Sequence, residues 1–252
     1  MTRSKENFDT GVGGSGTLAM ADPALLAADQ GAPPIWAVVF AGGIGSRFWP
    51  LATPATPKPV LPLVGGRPLV AESIDRLSPL IPADRVLVVT SADIADTVRA
   101  AVPALPPHNV LVEERPVGTA AAMAWGVSEV RRRAGDDAIV CAMHVDLAAA
   151  FPAALRDAVR RAALTAARER ALVALGVRPT RPEPSFGYIR IGAAIGTDES
   201  LDRGGAADVS EFVEKPGPEA ARVLVRDGAL WHSGMIIGPA REFLDALALY
   251  VP

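Results

Sequence analysis

The amino-acid sequence predicts a layered α/β fold with a mainly parallel sheet. From residue 35 onward, short apolar runs rich in β-branched residues recur, and stretches of Ala, Arg and Glu long enough for helices lie between them. A Gly-containing loop follows the first of these runs. Strands that alternate with helices in this way are typical of parallel sheets covered by helices on both faces.

The elements are expected in a regular order up to residue 177. The apolar runs predict strands at residues 35–40, 85–90, 109–112, 138–143 and 171–177. The stretches between them predict helices at residues 68–77, 92–101, 119–133 and 152–168. The remainder is less regular and is expected to face a substrate, with strands at residues 187–191, 209–214 and 230–237 and an amphipathic stretch at 240–249.

The N-terminal residues differ in composition from the rest of the chain. Residues 1–34 contain a Gly/Ser segment, a short Ala/Leu stretch and a Pro-Pro break. Such a segment buries too little apolar surface to order itself, so a mostly disordered extension is expected there. The functional domain is expected over residues 35–252.

Composition argues against several classes of protein. Half of the 252 residues are apolar, which is enough for a substantial core. The net charge is -3 and no Lys/Arg run dominates, so no nucleic-acid partner is expected. No apolar run approaches the roughly 20 residues that cross a bilayer, so no membrane partner is expected either. The single cysteine, Cys141, is expected in the core, and a cytoplasmic location fits it.

The loop after the first strand contains closely spaced glycines at residues 42–45. Glycines allow backbone N–H groups to approach a polyphosphate where a Cβ would collide, although a tight turn alone would also explain them. The spacing fits neither a Walker loop nor the dinucleotide-binding fingerprint. Two cations, Arg47 and Lys58, follow within one turn-rich segment, and the prolines beside Lys58 restrict its position.

Together these residues resemble the motif G-G-x-G-[ST]-R-[LF]-W-P-L…P-K of the sugar nucleotidyltransferases, and Trp49 points to the mannose-1-phosphate guanylyltransferase branch. The resemblance implies a Rossmann-like three-layer α/β fold with a mixed sheet. It implies that Arg47 and Lys58 are catalytic cations that neutralise the departing pyrophosphate. It assigns nucleotide binding in this loop to Ala41, Gly42, Gly43, Gly45 and Ser46.

A second segment resembles the part of the family that reads the nucleotide base. Glu113 ends a strand and could accept hydrogen bonds from both N–H groups on the guanine edge, which favours GTP. Gly118 would let the backbone approach the base. Thr119 either belongs to the same nucleotide site or is only a helix cap.

Asp146 stands where the family has its Mg²⁺-binding aspartate. A hard divalent cation prefers carboxylate oxygens, and the resemblance implies that Mg²⁺ is the cofactor. Without the resemblance, a lone Asp after a strand is more often a helix cap or turn former. Val145 and Leu147 depart from the family pattern, and His144 is expected beside the metal site rather than as a ligand.

Further motifs resemble the sugar-binding segments of the family. In the F-G-Y-I segment, the backbone of Gly187 and Tyr188 is implied to line the sugar pocket. In the F-x-E-K-P segment, Glu214 is implied to contact sugar hydroxyls and Lys215 the sugar phosphate. His232 stands where the family has Asn in W-N-S-G-M, so altered or weakened sugar recognition is expected.

The implied reaction transfers GMP from GTP to mannose 1-phosphate and gives GDP-mannose and pyrophosphate. Family members continue beyond the W-x-S-G element with a second metal-binding Asp, so the nucleotidyltransferase domain is expected to be incomplete; Asp245 reads as a helix surface residue. Two alternatives remain open: an inactive relative that binds a nucleotide or sugar phosphate, and an enzyme for another nucleotide and hexose 1-phosphate. A homo-oligomer is also left open.

Overall fold

The computed structural model describes residues 34–63, 65–196 and 205–250. The extension expected at residues 1–34 lies outside this range except for Pro34, so its disorder stays a prediction. The described residues form eight strands, which are β1 (Ile35–Phe40), β2 (Val86–Ser91), β3 (Val110–Glu113), β4 (Ile139–His144), β5 (Val173–Val177), β6 (Tyr188–Ile195), β7 (Ala206–Val213) and β8 (Leu230–Pro239). The α-helices are α1 (Leu69–Leu77), α2 (Ala95–Ala101), α3 (Thr119–Ala134), α4 (Pro152–Glu169), α5 (Pro218–Arg226) and α6 (Ala240–Tyr250).

All eight strands belong to one sheet, in the order β3-β2-β1-β4-β8-β6-β7 with β5 paired to β8. Strands β1 to β4 pair in parallel, as the strand–helix alternation predicts. The expectation of a mainly parallel sheet is wrong for the second half, because β8 is antiparallel to β4, β5 and β6, and β6 is antiparallel to β7. The sheet is therefore mixed, as the family resemblance implies.

Helices cover both faces of the sheet and produce three layers. On one face, Val70 of α1, Val98 of α2 and Val159 of α4 join the core that contains Val39 and Val88 of the sheet. On the other face, α3 and α6 pack against the sheet through a second buried cluster that includes Val127, Val130, Ala240 and Phe243. Burying both faces removes apolar surface from water, which is the main favourable contribution to folding.

Cys141 lies in β4 and is fully buried. Burial raises the pKa of its thiol to about 12. The residue is therefore an uncharged part of the core, as the sequence predicts.

The structure contains one helix, α5, that is not among those predicted from the sequence. Helix α5 begins after Gly217 with Pro218 at its first position, where the missing N–H of proline costs no hydrogen bond. Its Ala221 and Leu224 pack with Tyr188 in a small third core. Elsewhere, the helix expected at 92–101 begins as a 3-10 turn, Ala92–Ile94, before α2. No helix in the described ranges has the length and apolarity to span a membrane.

Candidate functional site

The carboxyl ends of the four parallel strands lie at one edge of the sheet. Phe40 of β1 is in register with His144 of β4, and Ser91 of β2 is in register with Glu113 of β3. The loops that follow these residues therefore leave the sheet on the same side. In open α/β sheets, ligands bind at this edge.

The loop after β1 begins in a fixed position. The N–H of Ala41 donates to the carbonyl of Val89 at 2.8 Å, and the Thr90 hydroxyl donates to the Ala41 carbonyl at 3.0 Å. A Cβ atom on Gly42 would lie 3.6 Å from Oε2 of Glu113. The loop and Glu113, which the sequence assigns to the nucleotide site, are thus direct neighbours.

Gly45 holds the same loop against Lys58. Gly45 has φ +86°, a conformation that residues with a Cβ rarely adopt, and a Cβ there would lie 2.5 Å from Cβ of Lys58. The Lys58 N–H also donates to the carbonyl of Ile44 at 2.9 Å. Lys58 is therefore attached to the glycine loop by its backbone, which leaves its ammonium group free to reach outward.

The ammonium of Lys58 contacts Asp146, which follows β4. Nζ of Lys58 lies 2.5 Å from Oδ2 of Asp146, and the two side chains are 17% and 44% exposed. Partial burial alone would raise the pKa of Asp146, but the hydrogen bond and charge of Lys58 outweigh it and hold this pKa below its ordinary value. Asp146 is consequently ionised at neutral pH.

The segment around Asp146 is held by two residues of α1. Neither of them was predicted from the sequence as a site residue. The buried hydroxyl of Ser73 donates to the Val145 carbonyl at 2.8 Å, and Arg76 donates through Nη1 to the Leu147 carbonyl. Val145 is 3% exposed and Leu147 packs against the core. The apolar departures from the family pattern at residues 145 and 147 therefore point into the protein and leave the Asp146 side chain at the surface.

Asp146 could serve as one protein ligand of a magnesium ion. Within the described ranges, no three side chains of His, Cys, Asp or Glu cluster as a metal-binding group. Mg²⁺ often binds through one or two carboxylates together with waters and substrate phosphates, so one ionised carboxylate at this edge fits such an ion. The His144 ring lies 5.3 Å from the Phe40 ring.

The expected base-binding segment lies at the start of α3. Gly118 is the N-cap of this helix with φ +116°, and Thr119 is its first residue. The alternative interpretation of Thr119 as a helix cap is wrong, because Gly118 takes that position and no side chain caps the helix. Burial raises the pKa of Glu113, whereas the neighbouring Glu114 is exposed.

A second group of residues surrounds Gly187. A Cβ on Gly187 would lie 2.8 Å from Cζ of Phe212 and 3.0 Å from Oε2 of Glu214. The N–H of His232 donates to the Gly187 carbonyl at 2.8 Å, and the rings of Phe212 and His232 are 5.3 Å apart. The segments that were expected to bind sugar are separate in sequence but meet around one glycine.

Tyr188 takes part in this group through its backbone alone. Its side chain is fully buried, and its hydroxyl accepts from the N–H of Glu183 at 2.8 Å. The phenol is therefore a structural anchor. The backbone role that the resemblance implies for Gly187 and Tyr188 stays a prediction.

The remaining site residues are charged or titratable. Lys215 has φ +45° and its Nζ lies 2.8 Å from Oε1 of Glu214, with both side chains exposed. Burial lowers the pKa of His232, Glu214 opposes this shift and His144 adds to it.

The first half of the loop is open to solvent. Gly43, Ser46 and Arg47 are exposed, and Arg47 forms no ion pair with any residue that the structure describes. A free guanidinium beside a glycine loop can bind a phosphate without first breaking a protein contact.

Comparison with known proteins identifies relatives over most of the chain. Residues 36–248 match the family model described as nucleotidyl transferase. A mannose-1-phosphate guanylyltransferase of Sinorhizobium fredii is 32% identical over 225 residues, which cover 87% of this chain and 42% of the relative. One of Salmonella typhimurium is 34% identical over 86% of this chain and 45% of the relative.

A solved structure has the same fold. It is described as a mannose-1-phosphate geranyltransferase from Thermus thermophilus, and it is 31% identical with a TM-score of 0.73 over 87% of this chain and 61% of that chain. The present chain spans less than half the length of the two curated relatives. Because the family match runs from β1 to α6, the chain belongs to the nucleotidyl transferase family.

Proposed function

We propose that this chain transfers GMP from GTP to mannose 1-phosphate, giving GDP-mannose and pyrophosphate, with Mg²⁺ as cofactor. The observation that supports this most is the Lys58–Asp146 contact at the carboxyl edge of the sheet, beside the glycine loop. A cation and a carboxylate side by side would serve a triphosphate and a sugar phosphate that meet at this edge. The curated relatives named above act on mannose 1-phosphate according to their names.

On the nucleotide side, the glycine loop would receive the triphosphate. The backbone at Gly42 and Gly43 can approach phosphate oxygens closely because no side chain intervenes. Arg47 and Lys58 would neutralise negative charge as pyrophosphate departs. Asp146 would hold Mg²⁺, and a bound Mg²⁺ supplies charge neutralisation on the phosphate oxygens.

The base would lie near Glu113 and the start of α3. A carboxylate accepts hydrogen bonds only, and the guanine edge offers two adjacent N–H donors. Partial burial of Glu113 strengthens such bonds, because the surroundings screen them less than bulk water does. Adenine, thymine and uracil lack this pair of donors, so the same residue would select GTP.

On the sugar side, Glu214 and Lys215 would bind the hexose phosphate. Glu214 lies beside the backbone of Gly187, where it can accept from sugar hydroxyls, and Lys215 next to it can contact the phosphate. The phosphate oxygen of the sugar would attack the α-phosphorus of GTP in line with the departing pyrophosphate. This nucleophile is already ionised near neutral pH, so orientation and charge neutralisation suffice and no protein nucleophile is required.

Pyrophosphate release by the purified chain tests the proposal, with Mg²⁺, GTP and mannose 1-phosphate present and with each substrate omitted in turn. Release that requires both substrates and is lost in Asp146→Asn is expected. GTP binding without turnover would favour an inactive binding relative. Turnover that prefers dTTP or UTP would contradict the guanine assignment.

The role of Glu113 is tested separately by Glu113→Gln, with Glu114→Gln as the matched control. One hydrogen bond to a charged group contributes about 1.5–3 kcal/mol, so the KM for GTP should rise at least about tenfold in Glu113→Gln. The exposed neighbour should leave the KM unchanged. Equal effects of the two substitutions would remove Glu113 from the base site.

A further inference from the structure

We propose that Ser73 and Arg76 of α1 are positioning residues that hold the main chain on both sides of Asp146 in place. The inference deepens the proposed function, because it rests on Asp146 as a site residue. Its basis is that the carbonyl groups on both sides of Asp146 accept hydrogen bonds from side chains of one helix. Ser73 donates to the Val145 carbonyl and Arg76 to the Leu147 carbonyl.

The main chain around Asp146 is also bonded on its N–H side. The N–H of Val145 donates to the Phe40 carbonyl at 3.3 Å, and the N–H of Leu147 donates to the His144 carbonyl at 3.5 Å. The Val145 side chain is buried as well. The peptide groups before and after Asp146 are therefore fixed, so that its carboxylate moves mainly through rotation of the side chain.

The position of Arg76 is buried and therefore energetically unfavourable for an arginine. It is 4% exposed, and a buried guanidinium loses hydration that only good partners can offset. Its nearest acid, Glu72, lies 3.7 Å from Nη2, which is too far for a strong hydrogen bond. An apolar residue would serve core packing better, so stability alone does not explain an arginine here.

The location of Arg76 supports a role that acts through the backbone. It lies in the last turn of α1, where the helix dipole favours a positive charge. Arg156 of α4 donates to the Arg76 carbonyl at 3.1 Å, which ties α1 to the helix that follows Asp146 in sequence. Ser73 and Arg76 are three residues apart, so both lie on one face of α1.

Fixing Asp146 has a direct chemical consequence. Its Oδ2 lies 2.5 Å from Nζ of Lys58, and displacement of a reacting or charge-neutralising group by about 1 Å can cost on the order of a hundredfold in rate. Ser73 and Arg76 would not touch substrate or metal. They would determine the position of the Asp146 carboxylate when substrate and metal bind.

The test uses Ser73→Ala, Arg76→Met and Arg76→Lys in the full chain. Ser210→Ala is the matched control, because the Ser210 hydroxyl also donates to a main-chain carbonyl, that of Arg190 at 3.1 Å, but on the distant strand β7. Hydrogen exchange of peptides covering residues 144–148 reports the position of the segment without any substrate. Mn²⁺ affinity in the presence of GTP, measured by electron paramagnetic resonance, reports the carboxylate itself.

Loss of one buried hydrogen bond of about 1–1.5 kcal/mol should accelerate exchange in residues 144–148 by about tenfold in Ser73→Ala and weaken Mn²⁺ binding by a similar factor. In turnover, kcat should fall at unchanged KM for GTP. Arg76→Met should show the same pattern more strongly, and Arg76→Lys should recover part of it. Ser73→Ala keeps the test valid if Arg76→Met does not fold.

Unchanged exchange and Mn²⁺ affinity in Ser73→Ala would overturn the inference, as would effects equal to those of Ser210→Ala. These two readouts do not depend on turnover. A wild-type chain that releases no pyrophosphate would therefore contradict the proposed function, while the positioning role would still be decided by exchange and metal binding.

Discussion

The ammonium nitrogen of Lys58 lies 2.5 Å from a carboxylate oxygen of Asp146, although the two residues are 88 positions apart in the chain. Lys58 belongs to the segment after the glycine loop, and Asp146 follows β4. In the absence of ligands, the two charges neutralise each other. A divalent cation at Asp146, as proposed above, would share the carboxylate with Lys58 or displace it, which would link metal binding to the position of Lys58.

Lys58→Gln should reduce turnover far more than it reduces stability. The pair is partly exposed, so its loss should cost less than about 1 kcal/mol of folding free energy. Removing a cation that stabilises charge in the transition state should lower kcat by about a hundredfold or more. Pyrophosphate release and urea unfolding measure the two effects.

The control for Lys58→Gln is Arg99→Gln, which removes a cation from the exposed pair with Asp96 on α2. Both variants should unfold at similar urea concentrations, and only Lys58→Gln should lose turnover. A Lys58→Gln variant with wild-type kcat would show that the Asp146 contact has no part in the reaction.

Gly45→Ala should destabilise the fold, because Gly45 has φ +86° and a Cβ there would lie 2.5 Å from Cβ of Lys58. A left-handed conformation costs an alanine about 1–2 kcal/mol, and the collision with Lys58 adds to that cost. The free energy of unfolding in urea measures the loss. Gly43→Ala is the control for stability, because its Cβ would enter open space; equal stability of the two variants would contradict the account.

Lys215→Ala should weaken binding of the sugar phosphate selectively. Lys215 is exposed and its partner Glu214 is also exposed, so little folding energy depends on the pair. The KM for mannose 1-phosphate should rise about tenfold or more while the KM for GTP stays constant. Arg222→Ala on the neighbouring helix α5 is the control, and equal loss of affinity for both substrates would show that Lys215 is misassigned.

His232 should remain uncharged at neutral pH. Burial lowers its pKa below the ordinary value, so its replacement of the family's Asn adds bulk but no charge at pH 7. As the pH falls through about 6.5, the unfolded chain binds the proton before the folded chain does, and stability should decrease. A nuclear magnetic resonance titration of the His232 ring checks the pKa directly.

Replacing His232 isolates its own contribution to stability, because burial also lowers the pKa of His144. His232→Asn should show a smaller loss of unfolding free energy between pH 7.5 and 5.5 than the wild type. His108→Asn, on an exposed turn, is the control for replacing a histidine elsewhere in the chain. A ring that titrates above pH 6.5 would contradict this prediction.

The strands of the first half of the fold could be predicted from sequence because they are mostly apolar. Strand β2, for example, is buried along its whole length and begins with four consecutive apolar residues, 86–89. The strands of the second half could also be predicted, but their pairing direction could not be derived from the residue pattern. Strand β7 is mostly exposed, and nothing in its own residues determines that it pairs with β6 in antiparallel fashion. Pairing direction depends on neighbours that are distant in sequence.

The same contrast applies to the site. Gly45 and Lys58 could be recognised because they lie in one motif, and the structure brings them into contact. Ser73 and Arg76 carry no such signal beyond being polar residues on the buried face of an amphipathic helix. Their partners are carbonyl groups more than 70 positions away, and a carbonyl is present at every residue. The periodicity of polar and apolar residues in α1 could single out Ser73 and Arg76 but could not identify their role.

Strand β8 connects β4, which Asp146 follows, with β6, which begins next to Gly187. Its Ile236 pairs with Ala142 of β4, two positions before His144, and its Trp231 pairs with Tyr188 of β6, next to Gly187. The separation between the proposed nucleotide and hexose sites is thus set by the number of residues of β8 that lie between Trp231 and Ile236. Inserting a single residue between Trp231 and Ile236 would change that spacing and turn the side chains beyond the insertion to the opposite face of the sheet. Exchanging residues within β6 and β7 would instead alter the choice of hexose and leave the spacing unchanged.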